Sequence, residues 1–480
     1  MRSNSDSIFK ELDWSLLAIY GVLILFGWLN IYAAIFDADN PTNIIDFSTK
    51  SGKQFIWIAF SVFTIIVILL LDFKFILAIP YLAYGVTAVL LLLLIPFGTK
   101  INGATSWIKF AGFSIQPSEF AKVGACLAVA KYLDEQSSHF RYGLNKESLI
   151  LYGMILFMPA LIMLQPDAGS ALVYSSFILV MCIDGLSFAI PILGVVAAAL
   201  FIMTNLYFEV EELLISLIVL GTGISLFPKK LDFGMNPLIS SLIVLLLFSV
   251  PLSLLFLIDD SDFLVIGIYA VIMLTGLVNV LFRRSFVNFN MLIVGLAIVS
   301  LVVIGSSTIF QKLPIHHQNR LNVLEDPYLD PRGKGWNIIQ SNIAISSGGA
   351  FGKGFKQGTI TKGNWVPEQH TDFIFCTIGE EHGFLGTTMV IMLFVALIIR
   401  LGVIADRQKS RFSQIYGYSV MGIIFFHFFI NIGMVIGLLP VIGIPLPFFS
   451  YGGSSLWSFT ILLTIMVKLD MHRSQILARN

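Results

Sequence analysis

The residues best placed for chemistry are Trp365-Val366-Pro367-Glu368-Gln369-His370-Thr371-Asp372-Phe373-Ile374-Phe375. They close a polar segment, 311–371, that lies between long apolar runs. Asp372 stands at the mouth of the next apolar run, with His370 and Trp365 shortly before it. A carboxylate held at a membrane surface beside an imidazole is suited to general acid–base work. Glu368, one helical turn earlier, is the fallback carboxylate. Loops of this length without evident secondary structure are functional or disordered. Glycines and aromatics at intervals, with no low-complexity run, favour an ordered and functional one.

Other polar residues sit where apolar sequence dominates. An ionisable group inside a membrane span costs a few kcal/mol or more and so marks a candidate site. In Gln116-Pro117-Ser118-Glu119-Phe120-Ala121-Lys122, Glu119 and Lys122 share a helix face and can pair. That pair either only orients the helix or walls a polar cavity. Trp107, in Ser106-Trp107-Ile108-Lys109-Phe110, reads first as an interfacial anchor. Asp167, in Gln165-Pro166-Asp167, reads as the cap of the next helix at an outer turn, or as part of a broken helix. Glu380 and Glu381 fall inside an apolar run and need a partner, such as Lys122 or an arginine of the long loop. Pro445 to Ser455, including Ser450, breaks regular helix and reads as a turn against a cavity. In the long loop, Ile338–Ser347 reads as a short surface helix. Gly348 to Phe355 reads as a flexible turn whose Lys353 could cradle phosphate, a weak signal alone. Arg320 and Arg332 are further phosphate candidates.

The elements that must position these groups are membrane helices. With 57% apolar and 12% charged residues and 42 Phe, a soluble globular chain is excluded. The net charge of zero gives no electrostatic case for nucleic acid. Cys126, Cys182 and Cys376 all lie in apolar runs and read as small buried residues. A span needs about 20 apolar residues. Fourteen runs qualify, near 14–36, 54–72, 75–96, 117–133, 148–165, 169–186, 187–206, 211–227, 237–258, 263–282, 290–310, 373–400, 413–440 and 447–468. Lys and Arg of the short loops gather on one side when both termini are inside, which puts 311–371 outside. The fold class is an all-α polytopic membrane protein.

Five stretches together resemble the SEDS family (shape, elongation, division and sporulation). They are Trp107 to Lys122, Gln165 to Gly169, Asp326 to Gly354, Pro367 to Gly386, and Asn431-Ile432-Gly433-Met434 through Leu439–Pro447 to Ser455. Pro440-Val441-Ile442-Gly443 is closer to the family's rod-shape members than to its division members. The resemblance implies a ten-helix core and peptidoglycan glycosyltransferase activity. It implies polymerisation of lipid II at the outer face of the bacterial cytoplasmic membrane, with release of undecaprenyl pyrophosphate, and a class B penicillin-binding protein as partner. The family's essential Asp falls on Asp372, and its functional Trp on Trp107. About four helices are then inserted. The organisation reads as 1–207, the first part of the core; 208–289, the insert; and 290–480, the second part with the catalytic loop 311–372.

On this reading Asp372 takes the proton of the acceptor sugar's 4-hydroxyl as it attacks the anomeric carbon. Lys122, Arg320 and Lys353, or a divalent cation such as Mg or Mn, offset charge on the pyrophosphate. Trp107, Glu119, Glu368, His370, Glu381 and Ser450 complete the expected substrate contacts. The rival reading is a flippase for the same lipid-linked precursor, which should show pseudo-symmetric halves with charges at the midplane. No internal repeat is visible, and the polar residues cluster at the outer edge, which favours the enzyme. A non-catalytic scaffold is the third reading.

Overall fold

The computed structural model describes residues 12–37, 43–101, 104–110, 113–136, 140–202, 310, 312, 318, 321–323, 327–330, 334–363 and 365–473. The helices begin where the sequence supplies caps. Asp13 accepts from the Leu16 amide at 3.0 Å and opens α1, Trp14–Ile35. Thr49 does the same for α2, Lys50–Leu70. The apolar run near 75–96 is two helices, α3, Phe73–Ala78, and α4, Pro80–Phe97. Pro80 lacks the N–H that a continuous helix would need and starts a new one instead.

A small antiparallel ribbon follows, which an all-helical reading does not foresee: β1, Thr99–Ile101, β2, Ala104–Phe110, and β3, Phe113–Ile115. Trp107 lies on β2, so its neighbourhood is an ordered strand. Next come α5, Pro117–Glu135, and α6, Lys146–Met163. The run near 169–186 divides into α7, Ala168–Leu172, a 3₁₀ turn and α8, Ser176–Ile183. As expected, Asp167 caps α7, accepting from the Ser170 amide at 3.1 Å.

The chain forms two compact units, Met1–Leu186 with Asp330–Asn480, and Ser187–Leu329. In the second, α9, Ala189–Ile202, is described, and Phe201 meets Phe310 with ring centroids 6.4 Å apart. The insert read at 208–289, its boundaries, and the spans read between 211 and 309 lie outside the described residues.

The first unit continues with α10, Lys334–Ser347, a helix that covers the one read at 338–347, and α11, Thr359–Lys362. Three long helices end it: α12, Ile374–Asp406, α13, Arg411–Val435, and α14, Gly453–Met471. Among the described residues seven helices are long and apolar enough to cross a bilayer. The fold is that of a multi-pass helical membrane protein. α5 carries Glu119 and Lys122 yet is buried along most of its length, between α4, α13 and α14. α12 packs on α1, α10 and α13, and α2 on α14.

The two ends of α12 differ in chemistry. Near its C-terminus, Arg400 donates to both carboxylate oxygens of Asp13, at 3.0 and 2.7 Å, and Arg407 bridges Asp13 and Asp470. This network ties the start of α1 to the ends of α12 and α14. Asp372 precedes the opposite end.

Candidate active site

Residues 441–447 carry no regular structure, and the polar groups of several helices converge on them. Asn431, buried on α13, donates from Nδ2 to the Ile444 carbonyl at 2.7 Å and to the Asp372 carbonyl at 2.8 Å. Gly443 has φ +85°, a conformation that side chains resist. A Cβ there would lie 3.2 Å from Asp372 Oδ2, so the glycine lets the carboxylate sit against the backbone. On the other side, Gly169 packs on Ile442 and Ile444. Gln116 joins this wall, donating to Asp167 Oδ2 at 2.9 Å. Asn431→Ala leaves two carbonyls without their donor, and each buried unpaired group costs about 1–3 kcal/mol. A clearly lowered unfolding temperature is expected; an unchanged one would show that the clamp does not matter to the fold.

The Asp372 turn is built from the preceding residues. The Glu368 carbonyl accepts from the Thr371 amide at 3.0 Å and the Phe373 amide at 3.3 Å, with Glu368 itself at φ +54°. His370 accepts at Nε2 from Lys50 Nζ at 2.7 Å, while its carbonyl accepts from the Tyr451 amide at 2.9 Å. Burial, and then the Lys50 charge, lower the His370 pKa to about 4. The imidazole is therefore neutral at neutral pH and keeps the lone pair that Lys50 uses. Glu368 Oε2 is 3.8 Å from the same ring nitrogen. A groove of about 620 Å³ opens beside this turn, lined among others by Asp37, Ser48, Lys50, Glu368 and His370.

A second polar cluster lies within the helices. Lys122 Nζ donates to Glu119 Oε2 at 2.8 Å and to His427 Nε2 at 3.0 Å, and lies 4.5 Å from the Phe459 ring centroid. Ser458 also donates to Glu119 Oε2, at 3.2 Å. The pair expected from i, i+3 spacing is present, with both side chains almost wholly buried.

A third feature is a break in α12. Gly383 has φ +64° and ψ −157°, so two helices meet there. The 348–354 loop docks into the break. The amides of Lys353 and Gly354 donate to the carbonyls of Glu380 and Glu381, and those of Phe384 and Leu385 to Gly349 and Ala350. Lys353 pairs with Glu380 Oε1 at 2.7 Å. The same carboxylate accepts from the amides of Thr359, Ile360 and Thr361. This corrects the expectation of a flexible phosphate cradle, because the amides of Lys353 and Gly354, and the lysine ammonium, are already taken. It also corrects the partner expected for Glu380, which is Lys353 and not Lys122 or an arginine. The Glu381 carboxylate is buried as well.

Of the expected substrate contacts, the structure brings Glu368 and His370 to one groove. Trp107 is half-buried on the ribbon, which joins the Gln165 turn through the Thr105 amide, 3.2 Å from the Gln165 carbonyl. Glu119 and Lys122 face each other in the interior. Ser450, expected to contact substrate, is buried and accepts from the Leu446 amide at 2.9 Å, which closes the turn. Arg320 and Arg332 lie outside the described residues. Asn431, His427, Gly443 and Lys50 were not among the expected site residues; two polar side chains one helical turn apart in the otherwise apolar 427–431 stretch are the signal that could have found the first two. Among the described residues no group of three or more His, Cys, Asp or Glu converges to hold a metal ion.

Comparison with known proteins bears on this geometry. A family model described as a cell cycle protein, covering FtsW, RodA and SpoVE, matches residues 13–219 and 214–475. The peptidoglycan glycosyltransferase RodA of Treponema pallidum is 30% identical over 97% of this chain and 98% of its own. The peptidoglycan glycosyltransferase MrdB of Escherichia coli K12 is 29% identical over 83% of this chain and 79% of its own. The stage V sporulation protein E of Bacillus subtilis is 28% identical over 80% and 76%. A chain from a peptidoglycan synthase complex, described as coordinating polymerization and crosslinking, shares the fold with TM-score 0.59 and 23% identity over 97% of this chain and 99% of that one. The rod shape determining protein RodA of Thermus thermophilus does so with TM-score 0.52 and 20% identity, over 97% and 98%.

Proposed function

Because the chain belongs to the FtsW, RodA and SpoVE family of cell cycle proteins, we propose that Asp372 is the base of a glycosyl transfer at the outer membrane surface. The chain is a peptidoglycan glycosyltransferase, the activity carried in the names of its RodA and MrdB relatives. Lipid II is both donor and acceptor. The acceptor hydroxyl gives its proton to Asp372 as its oxygen bonds to the donor's anomeric carbon. The bond to the lipid pyrophosphate breaks, and that group leaves with the electron pair. A base so placed contributes roughly 10²–10⁴-fold. Lys50, which donates to His370 in the Asp372 turn and lines the groove there, is a cation placed to meet the leaving anion; Lys122 and Lys353 are held in internal ion pairs. The supporting observation is the double grip of Asn431 on the main-chain carbonyls of Asp372 and Ile444, next to Gly443, whose missing Cβ leaves room for the Asp372 carboxylate.

Elongation and rod shape are the proposed cellular role, on the strength of the RodA relative's extent, and a class B penicillin-binding protein the proposed partner. Purified full-length chain supplied with lipid II should make polymer visible on a gel. A chain that instead moves the lipid across vesicles and makes no polymer is a flippase. Both termini are proposed to be cytoplasmic. Cysteine labelling should then reach 228–236 and 283–289 from inside only and 258–262 from outside; labelling of 283–289 from outside would reverse the topology of that block.

A further inference from the structure

His427 lies on α13 and is 2% exposed. Its Nε2 is 3.0 Å from Lys122 Nζ, and its Nδ1 is 3.2 Å from the Pro445 carbonyl oxygen. An ammonium can only donate, so Nε2 must offer its lone pair and the ring proton must sit on Nδ1. Nδ1–H then donates to Pro445. Lys122 thus sets the tautomer, and Glu119 and the Phe459 ring hold Lys122 in place. Phe459 also meets the imidazole edge-on, with centroids 4.9 Å apart.

His427 and Asn431 stand one turn apart on α13 and grip successive carbonyls, those of Pro445 and Ile444. The next residue back, Gly443, is the one against which the Asp372 carboxylate lies. Pro445 has no N–H of its own to anchor it. Its carbonyl is the backbone handle on this side of the segment.

We propose that His427 is a positioning residue for the transfer reaction: it transmits the fixed place of Lys122 to the 443–445 backbone and so holds the Asp372 carboxylate in line with the acceptor hydroxyl. The role rests on Asp372 serving as the base. Misplacement of about 1 Å costs on the order of 10²-fold in rate.

The test uses the full chain in lipid nanodiscs with lipid II, reading kcat, KM and hydrogen exchange at the amides of 441–446. His427→Gln keeps an acceptor for Lys122 and a donor for Pro445. It should retain kcat within roughly fivefold and exchange at the native rate. His427→Phe fills the ring's space and loses both bonds. Its kcat should fall on the order of 10²-fold with KM little changed, and the 441–446 amides should exchange faster. Native kcat and native exchange in His427→Phe overturn the proposal, as does a Gln variant impaired like Phe while its exchange stays slow. If the Phe variant fails to fold, His427→Asn decides, since its short amide reaches one partner only. Asn matching Gln in rate and exchange overturns the proposal; Asn slow in turnover and fast in exchange supports it. Native turnover by Asp372→Asn, run in parallel, faults the base and not His427, whose hold on 441–446 is read by exchange without turnover.

Discussion

Gly383→Ala is expected to destabilise the protein by roughly 2–6 kcal/mol, the sum of a backbone conformation reserved for glycine and an overpacked contact. At φ +64° and ψ −157°, no L side chain is comfortable. A Cβ there would also lie 2.3 Å from the Gly352 nitrogen and 2.8 Å from the Ala350 carbonyl. Both are backbone atoms in a loop that is hydrogen-bonded to the helix on each side of the break, so neither can move alone. The methyl group must push the 348–354 loop out or straighten α12. Either response separates Lys353 from Glu380, which is buried and depends on it. Gly85→Ala is the control. Gly85 lies within α4 with nothing inside 4 Å of a new Cβ, and the helix gains up to about 1 kcal/mol from alanine. Thermal unfolding in the same detergent should separate the two variants clearly. Equal unfolding temperatures would mean that the break is not held as described.

Local signals in the sequence survived contact with the structure. The Glu119–Lys122 pair, the Asp167 cap and the Pro117 helix start depend on residues within one turn of each other, and spacing alone reveals them. The long apolar runs marked the seven membrane-length helices among the described residues for the same reason. What spacing could not reveal was pairing across the chain. Asn431 meets the Asp372 carbonyl 59 positions away, and Lys122 meets His427 at a separation of 305. An asparagine or a histidine in an apolar helix announces a need for partners without saying which. The Gly348–Gly354 pattern misled for a related reason. Glycines serve equally where a backbone approaches phosphate and where it approaches another backbone, and here Gly348 and Gly352 press on the carbonyls of Gly379 and Glu381. The ribbon holding Trp107 was hidden because β1 and β3 have three residues each and β2, Ala104–Phe110, places Trp107 and Ile108 side by side and so does not alternate cleanly.

Asp372→Asn is expected to remove nearly all polymerisation while leaving the fold intact. The carboxamide has almost the same shape, and the Asn431 bond goes to the Asp372 main-chain carbonyl, which the substitution keeps. Gly443 still gives the side chain room. What is lost is the basic oxygen, and with it about 3–5 kcal/mol of transition-state stabilisation if a base contributes roughly 10²–10⁴-fold. Glu368→Gln should cost far less. Glu368 is exposed at the groove, and its side chain accepts from Thr371 Oγ1 at 3.1 Å, a role that an amide oxygen can fill. The most direct measurement is the single-turnover rate of lipid II polymerisation by the purified full chain, native against Asp372→Asn, with matched unfolding temperatures. Asp372 as base predicts a rate at least about 10²-fold lower for the variant at saturating lipid II. A variant that folds like the native chain and polymerises at the native rate would contradict it.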